Sequence, residues 1–172
     1  MKKLLILLAL LACGVTAEAQ EMSCTFVQKK TIKATKKVIP GEGTITFKAP
    51  DQLNMLYDVP QGDCLVINGT ELKSCVNGRT VTFDTTKNLR MRKMRNTLLN
   101  CITGDYEKAA EENDANLIVE QKGDVKTVTI MAKKQQPTGY AHIILDYDKK
   151  GLPVRMVLDE FTGILTEYTF KY

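Results

Sequence analysis

Short runs of alternating apolar and polar residues, separated by turn sequences, constrain the fold of this chain more than any other feature. Residues that alternate in this way place their apolar side chains on one face of a strand. Asn68-Gly69, Asn77-Gly78 and Thr162-Gly163 are typical of the turns between such strands. We therefore predict an antiparallel meander, either a curved sheet or a barrel. The predicted strands are 24–37, 43–48, 53–58, 64–67, 72–76, 80–84, 116–121, 125–133, 140–147, 154–159 and 164–172.

One segment, 88–104, breaks the strand pattern. Its apolar residues recur at helical spacing, and Gly104 can cap the end of a helix. These residues are Met91, Met94, Leu98, Cys101 and Ile102. An apolar stripe of this length must be buried, and the apolar face of the sheet is the only large surface available. We expect one helix to lie across the sheet, with a second short helix over 106–112.

The stretch 43–57, GTITFKAPDQLNMLY, predicts two strands joined by a corner at Ala49-Pro50-Asp51-Gln52. Pro50 cannot donate a hydrogen bond to a neighbouring strand, so the first strand ends before it. Ile45 and Phe47 lie on one face of the first strand, and Leu53, Met55 and Tyr57 lie on one face of the second.

The first nineteen residues are typical of a cleaved signal peptide. Lys2 and Lys3 precede an apolar run that is too short to span a bilayer, and 17–19, Ala-Glu-Ala, is a cleavage signal. We expect a mature single domain of 20–172 in the periplasm. A second reading is that 11–14, Leu-Ala-Cys-Gly, is a lipobox, in which case Cys13 anchors the protein to a membrane.

Four cysteines remain after cleavage, and an oxidising compartment permits up to two disulfides among them in three connectivities. Cys64 and Cys75 flank Asn68-Gly69. A two-residue turn at that pair would place Cys64 opposite Lys73, whereas a four-residue loop would bring the two cysteines face to face. Buried thiols are an equally good reading for Cys24, Cys64, Cys75 and Cys101.

The chain has none of the common catalytic or nucleotide-binding motifs. His142 is the only histidine, and it lies on the same predicted strand face as Tyr140 and Ile144. A triad or a zinc site needs more partners than the sequence supplies near it. We predict no enzyme activity, no metal and no cofactor.

The predicted helix has a basic face opposite its apolar stripe, formed by Arg90, Arg92, Lys93 and Arg95. These residues are candidates for contact with a lipid phosphate or an acidic partner, and a solvated face is the simpler alternative. Nucleic acid is disfavoured because no aromatic residues are interleaved with the cations. Met55, Met91, Met94 and Met156 suit either a core or a surface that accepts apolar ligands of variable shape.

Three parts of the chain together resemble the periplasmic outer-membrane lipoprotein carrier family, the LolA family. They are 25–30, TFVQKK; 43–72, GTITFKAPDQLNMLYDVPQGDCLVINGTEL; and 151–170, GLPVRMVLDEFTGILTEYTF. The resemblance implies a mainly β (α+β) fold, with a strongly curved antiparallel sheet forming an incomplete barrel and one or two helices across its open mouth. In this family the space between sheet and helices holds acyl chains.

By this resemblance, the apolar residues of the corner and of the helix would line a hydrophobic cup. The residues are Phe47, Leu53, Met55, Tyr57, Met91, Met94, Leu98 and Ile102. Two features differ from the family pattern. The amphipathic helix that precedes Phe-x-Gln is missing before Phe26, and Ala49 stands where an arginine implicated in lid closure precedes the corner proline.

The function that the resemblance implies is a carrier that conveys acylated lipoproteins, or free lipid, toward the outer membrane. Its implied partners are an inner-membrane release complex and an outer-membrane acceptor, and we expect a monomer. An alternative from another class is a non-enzymatic envelope sensor or binding module on the same half-barrel. A third reading is a structural protein whose cup is filled by its own side chains.

Overall fold

The computed structural model describes residues 21–172, which form a single antiparallel sheet and two helices. The strands are β1 (Glu21–Ile32), β2 (Lys37–Lys48), β3 (Gln52–Val59), β4 (Cys64–Asn68), β5 (Glu71–Val76), β6 (Arg79–Asp84), β7 (Ala115–Lys122), β8 (Val125–Ala132), β9 (Tyr140–Tyr147), β10 (Pro153–Glu160) and β11 (Ile164–Lys171). The helices are α1 (Leu89–Thr103) and α2 (Tyr106–Glu112). The expected signal peptide, including Cys13, lies outside the described residues.

The strand order is β6-β5-β4-β3-β2-β1-β11-β10-β9-β8-β7, so the first and last strands are neighbours in the middle of the sheet. Within residues 21–172, the edge strands β6 and β7 do not pair with each other, and the sheet stays open. The predicted fold class, a mainly β protein with a curved, incomplete antiparallel barrel and two helices, is confirmed.

The β1–β2 hairpin corrects one predicted strand. The sequence pattern joined 24–37 into one run, but a turn at 33–36 divides it, and Ile32 pairs with Lys37. Pro40 lies inside β2 rather than before it. This position is tolerated because β3 ends opposite Glu42, so Pro40 lies in a part of β2 that is an edge on that side.

The predicted corner at 49–52 is a tight connection between two strands that pair with each other. Phe47 lies opposite Leu53 and Ile45 opposite Met55, which places all four side chains on the inner face of the sheet. Gly43 is required where the pairing shifts, because a Cβ atom there would lie 2.0 Å from the carbonyl oxygen of Leu56. The backbones therefore approach more closely here than any larger residue permits.

The β4–β5 turn sets the register of two cysteines. Its central residues are Gly69 and Thr70, one position later than the Asn-Gly pair suggested, so Cys64 lies directly opposite Cys75. The structure joins these two cysteines in a disulfide, and it leaves Cys24 and Cys101 as buried thiols. Burial raises the pKa of Cys101 to about 12, so this thiol stays protonated and unreactive.

Helix α1 begins and ends at specific caps. The Asn88 side chain accepts a hydrogen bond from the backbone N–H of Met91, and Gly104 ends the helix in the left-handed conformation, as predicted. Its C-terminal half is buried against the inner face of the sheet, and the Tyr147 hydroxyl donates to the Cys101 carbonyl oxygen at 2.8 Å. Neither described helix is long and apolar enough to cross a membrane.

Candidate functional site

The middle of the predicted cup is filled by its own side chains. Five of the eight predicted lining residues are buried in one continuous apolar core, namely Phe47, Leu53, Met55, Leu98 and Ile102. The first three come from the β2–β3 hairpin and the last two from α1. The structure places residues of both predicted surfaces in this one core.

Tyr57 lies to one side of this core in an aromatic cluster. Its ring packs edge-on against Phe26 at a centroid distance of 5.0 Å, and its hydroxyl lies 3.2 Å from the hydroxyl of Tyr168. Gln28 donates a further hydrogen bond to Tyr168. Burial raises the pKa values of Tyr57 and Tyr168, so both hydroxyls remain protonated and keep this network intact.

A groove of about 420 Å³ remains open under the N-terminal half of α1. This volume is within the usual range for small-molecule sites. Of the predicted cup residues, Met91 and Met94 line it. The other lining residues come from α1, from the segment after α2, from the β8–β9 loop and from the ends of β9 and β10: Leu89, Arg90, Lys93, Asn113, Gln136, Thr138, Gly139, Tyr140 and Glu160.

The groove exists because the two halves of α1 differ in burial. All the buried residues of the helix lie between Thr97 and Ile102, whereas Met91 and Met94 are only partly buried. Leu89, at the first position of the helix, is 59% exposed. The apolar stripe thus continues past the point where the sheet covers it, and its N-terminal part forms one wall of the groove.

Tyr140 forms the opposite wall, which alternation along β9 did not predict. The register of β9 with β10 shifts between Asp159 and Glu160, so that Asp159 pairs with His142 but Glu160 pairs with Tyr140. The extra residue, Ala141, is a β-bulge that moves Tyr140 off the face occupied by His142 and Ile144. The expectation that Tyr140 shares a face with His142 was therefore wrong.

Tyr140, which lines the groove, keeps its hydroxyl proton. Burial raises its pKa, and the negative charge of Glu160 raises it further. The hydroxyl therefore remains protonated over the physiological range. His142 lies outside the groove, with Nδ1 at 3.5 Å from an Asp159 carboxylate oxygen.

The four predicted basic residues of α1 separate into three environments. Arg90 and Lys93 line the groove, and Arg92 is exposed. Arg95 is already engaged by the protein: its Nε donates to the Gly69 carbonyl oxygen at 2.6 Å, and its Nη2 donates to Asp51 Oδ2 at 3.2 Å. Arg95 therefore ties the helix to two turns of the sheet.

Polar contacts also tie α1 to α2. Asn96 donates to Glu112 at 3.0 Å, and Asn113 donates to the Thr97 hydroxyl at 2.8 Å. The N-terminal half of α1 is therefore held mainly by side-chain hydrogen bonds, while its C-terminal half is held by apolar burial. Within 21–172, no group of three or more His, Cys, Asp and Glu side chains could hold a metal ion.

Comparison with protein families accounts for this architecture. The model of the family described as outer membrane lipoprotein carrier protein LolA matches residues 17–172. The chain belongs to the LolA family. Members of this family are periplasmic, non-enzymatic carriers. No curated protein matches this LolA family member in sequence.

Several solved structures are similar to this LolA family member at low sequence identity. A DUF1329 family protein from Desulfovibrio piger has a TM-score of 0.42 and 12% identity, covering 90% of this chain and 85% of that chain. A LolA superfamily protein from Nitrosomonas europaea has a TM-score of 0.39 and 8% identity, covering 90% and 86%. The Mycobacterium tuberculosis lipoprotein LppX has a TM-score of 0.34 and 12% identity, covering 87% and 84%.

Proposed function

We propose that this LolA family member is a periplasmic carrier that binds the acyl chains of lipoproteins, or of a related lipid, and conveys them toward the outer membrane. The observation that supports this most directly is the groove between α1 and the sheet. One of its walls is a half-exposed apolar stripe. An exposed apolar patch of this kind is typical of a surface that a ligand or partner covers.

The groove offers an acyl chain both an apolar wall and a way to enter. Leu89, Met91 and Met94 supply apolar contacts of adaptable shape. Each CH₂ removed from water contributes about 0.8 kcal/mol, so even partial cover of a chain gives useful affinity. We propose that the chain enters at this groove.

A longer chain needs more room than the groove supplies, and α1 is the element that can give it. Its N-terminal half is held by Arg95, Asn96 and other polar groups rather than by deep apolar burial. An element with few buried apolar contacts opens at a lower free energy than the core. A movement that extends to the buried C-terminal half of α1 would expose the rest of the proposed cup: Phe47, Leu53, Met55, Tyr57, Leu98 and Ile102.

The ligand's polar end would meet charged groups at the groove. Arg90 and Lys93 line the same groove as Tyr140, so an anionic or carbonyl-bearing group would find two cationic donors there. We propose Arg90 and Lys93 as the headgroup contacts. Arg92 remains available to a partner protein, while Arg95 acts within the fold.

The test is binding of a purified bacterial lipoprotein compared with the same protein lacking its acyl chains. Met94→Glu places a charge in the apolar wall, and we expect it to weaken acyl-dependent binding at least tenfold. Leu56→Glu is the matched control, because Leu56 is 51% exposed and pairs with Thr44, which lies on the outer face. Thermal melting checks that both variants fold.

One observation favours a second candidate, a non-enzymatic envelope sensor or binding module on the same half-barrel. The middle of the cup is packed with side chains, as a protein that never carries a full chain would require. Equal binding to both cargo forms, or Met94→Glu binding that matches Leu56→Glu, would refute the carrier and favour this candidate.

We propose a periplasmic location after cleavage following Ala19. The alternative is membrane anchoring through an acylated Cys13. The intact mass of the protein purified from the cell envelope distinguishes these two outcomes, since acylation retains Cys13 as the first residue and adds the mass of the lipid.

A further inference from the structure

The tip of the β1–β2 hairpin carries a cluster of lysines that do not line the groove. They are Lys29, Lys30, Lys33, Lys36 and Lys37. All are exposed except Lys30, which is partly buried. Lys33 bonds Asp159, and the other four make no salt bridge with any residue in 21–172.

This hairpin tip lies at the same end of the sheet as the mouth of the groove. The backbone N–H of Lys33 donates to the Gly163 carbonyl oxygen at 2.9 Å, which joins the hairpin to the β10–β11 turn. Phe161 in that turn donates to the carbonyl oxygen of Gly139 at 3.1 Å. Gly139 lines the groove, so three adjacent loop tips connect the lysines to it.

Further cations surround the groove at this end. Lys133 and Lys134 lie in the β8–β9 loop, and Arg90 and Lys93 lie on the groove itself. Lys133 bonds Asp114 at 3.0 Å. The hydrogen bond from Lys133 lowers the pKa of that carboxyl group, and the charges of Lys133, Lys134 and Lys93 lower it further, so cations of the loop and of the helix both lie within electrostatic range of Asp114. We call the hairpin lysines and these four residues the basic rim.

Two of the carboxylates near the basic rim are paired with lysines of the rim. Asp114 is paired with Lys133, Asp159 with Lys33, and Glu160 accepts a hydrogen bond from Thr162. The hairpin itself carries two acidic side chains, Glu42 and Glu21, and Glu21 lies at the end away from the tip, where it bonds Lys48. The rim therefore has a clear excess of positive charge, although the net charge of the whole chain is only +4.

We propose that the basic rim docks this protein onto an anionic lipid surface, with the groove mouth facing the headgroups. Basic residues close to such a surface each contribute about a fivefold increase in binding, and their effects accumulate over the rim. Exposed Leu89 stands at the groove beside Arg90, where it would reach the interface as the cations contact phosphates. Docking in this orientation would let an acyl chain pass directly between the membrane and the groove of the proposed carrier. Vesicle binding itself does not depend on the proposed carrier function.

The chemistry of the rim favours a lipid surface over an acidic protein. Its hairpin charges are all lysines, which are flexible point charges suited to mobile phosphates, whereas arginines give bidentate recognition of fixed carboxylates. Lysine is also depleted in protein–protein interfaces, whose centres are apolar and aromatic. The hairpin tip has no aromatic residue between Gln28 and Gly41.

The experiment measures binding of the protein, purified from the cell envelope, to vesicles of phosphatidylcholine with or without one quarter phosphatidylglycerol. We expect binding to the anionic vesicles only, and its loss in 0.5 M salt. The triple variant Lys29→Gln, Lys36→Gln, Lys37→Gln should weaken this binding on the order of a hundredfold.

The matched control removes three lysines from the opposite end of the sheet. The control triple is Lys122→Gln, Lys149→Gln and Lys150→Gln. Lys122 is the last residue of β7, Lys149 and Lys150 lie in the β9–β10 connection, and all three are exposed. They change the net charge equally, so we expect at most a threefold effect. Equal weakening by both triples would overturn the proposal, because only net charge would then matter. Equal binding to both vesicle types would also overturn it.

Acyl binding provides the separate readout. A fluorescent fatty acid, added without vesicles, should bind the hairpin triple as it binds the unchanged protein. Loss of vesicle docking with normal fatty-acid binding supports the basic rim. Vesicle docking without fatty-acid binding would refute the proposed carrier function and leave the docking surface standing.

Discussion

Replacement of Arg95 by alanine tests whether polar contacts hold the N-terminal half of α1 closed. Arg95 is 16% exposed and donates to the Gly69 carbonyl oxygen and to Asp51, which lie in two different turns of the sheet. A hydrogen bond from a charged donor contributes about 1.5–3 kcal/mol. The Asp51 carboxylate is about a third exposed, and an ion pair in such a position adds at most about 1 kcal/mol.

Arg95→Ala should therefore lower the free energy of opening of the N-terminal half of α1 by about 2–3 kcal/mol. The free energy of opening of the sheet should change little. The helix has no other side-chain bond to these turns within the described residues. Opening of this half should become about 30- to 140-fold more frequent, because 1.4 kcal/mol is a factor of ten.

Native-state hydrogen exchange measures this opening for each backbone amide. Amides of 93–99 should exchange faster in Arg95→Ala, while those of β1 and β2 should change little. Arg92→Ala is the matched control, since Arg92 is exposed on the same helix and a surface change is usually worth less than about 0.5 kcal/mol. Equal exchange in the two variants would refute the argument that Arg95 holds the helix.

Three further changes test the fold. Gly43→Ala places a Cβ at 2.0 Å from the Leu56 carbonyl oxygen and should lower the free energy of unfolding by about 1–3 kcal/mol in urea, whereas a loss below 0.5 kcal/mol would contradict the close approach. Cys64→Ser with Cys75→Ser opens a bridge of sequence separation 11, and the unfolding free energy should fall by about 2–3 kcal/mol under oxidising conditions but not under reducing ones. Burial raises the pKa of Cys101 from 9.0 to about 12, so the unfolded chain loses this proton first and stability should fall between pH 9 and 12. Cys101→Ala should reduce the slope of unfolding free energy against pH by about 1.4 kcal/mol per pH unit in this range. An unchanged slope would show that another group causes the loss of stability.

The elements of this fold could be predicted from sequence because each one depends on local patterns. Alternation marked most strands, and helical spacing from Met91 to Ile102 marked α1 with its Gly104 cap. The exception was the run 24–37, where Thr31, Ile32 and their neighbours continue the strand composition through a turn. Lysine and threonine gave no turn signal there, since Gly, Pro, Asn and Asp are absent from 29–39.

The candidate site could be predicted only in part, because its limits depend on contacts between distant segments. Met91 and Met94, two of the predicted cup residues, line the groove. Tyr140 and Glu160 were missed because a bulge at Ala141 reverses the alternation that sequence reasoning used. The β8–β9 loop was missed because its residues Gln136 and Thr138 have no pattern of their own.

By itself, the sequence determined the strand and helix content, the amphipathic faces and the family, since each of these follows from residue types at fixed spacing. Only the tertiary structure decided how those faces are used. It packed Leu98 and Ile102 into the cup, left Met91 and Met94 at an open groove, and turned Arg95 toward Asp51. The physical reason is that burial and hydrogen bonding depend on which distant groups come close, and sequence spacing does not encode that distance.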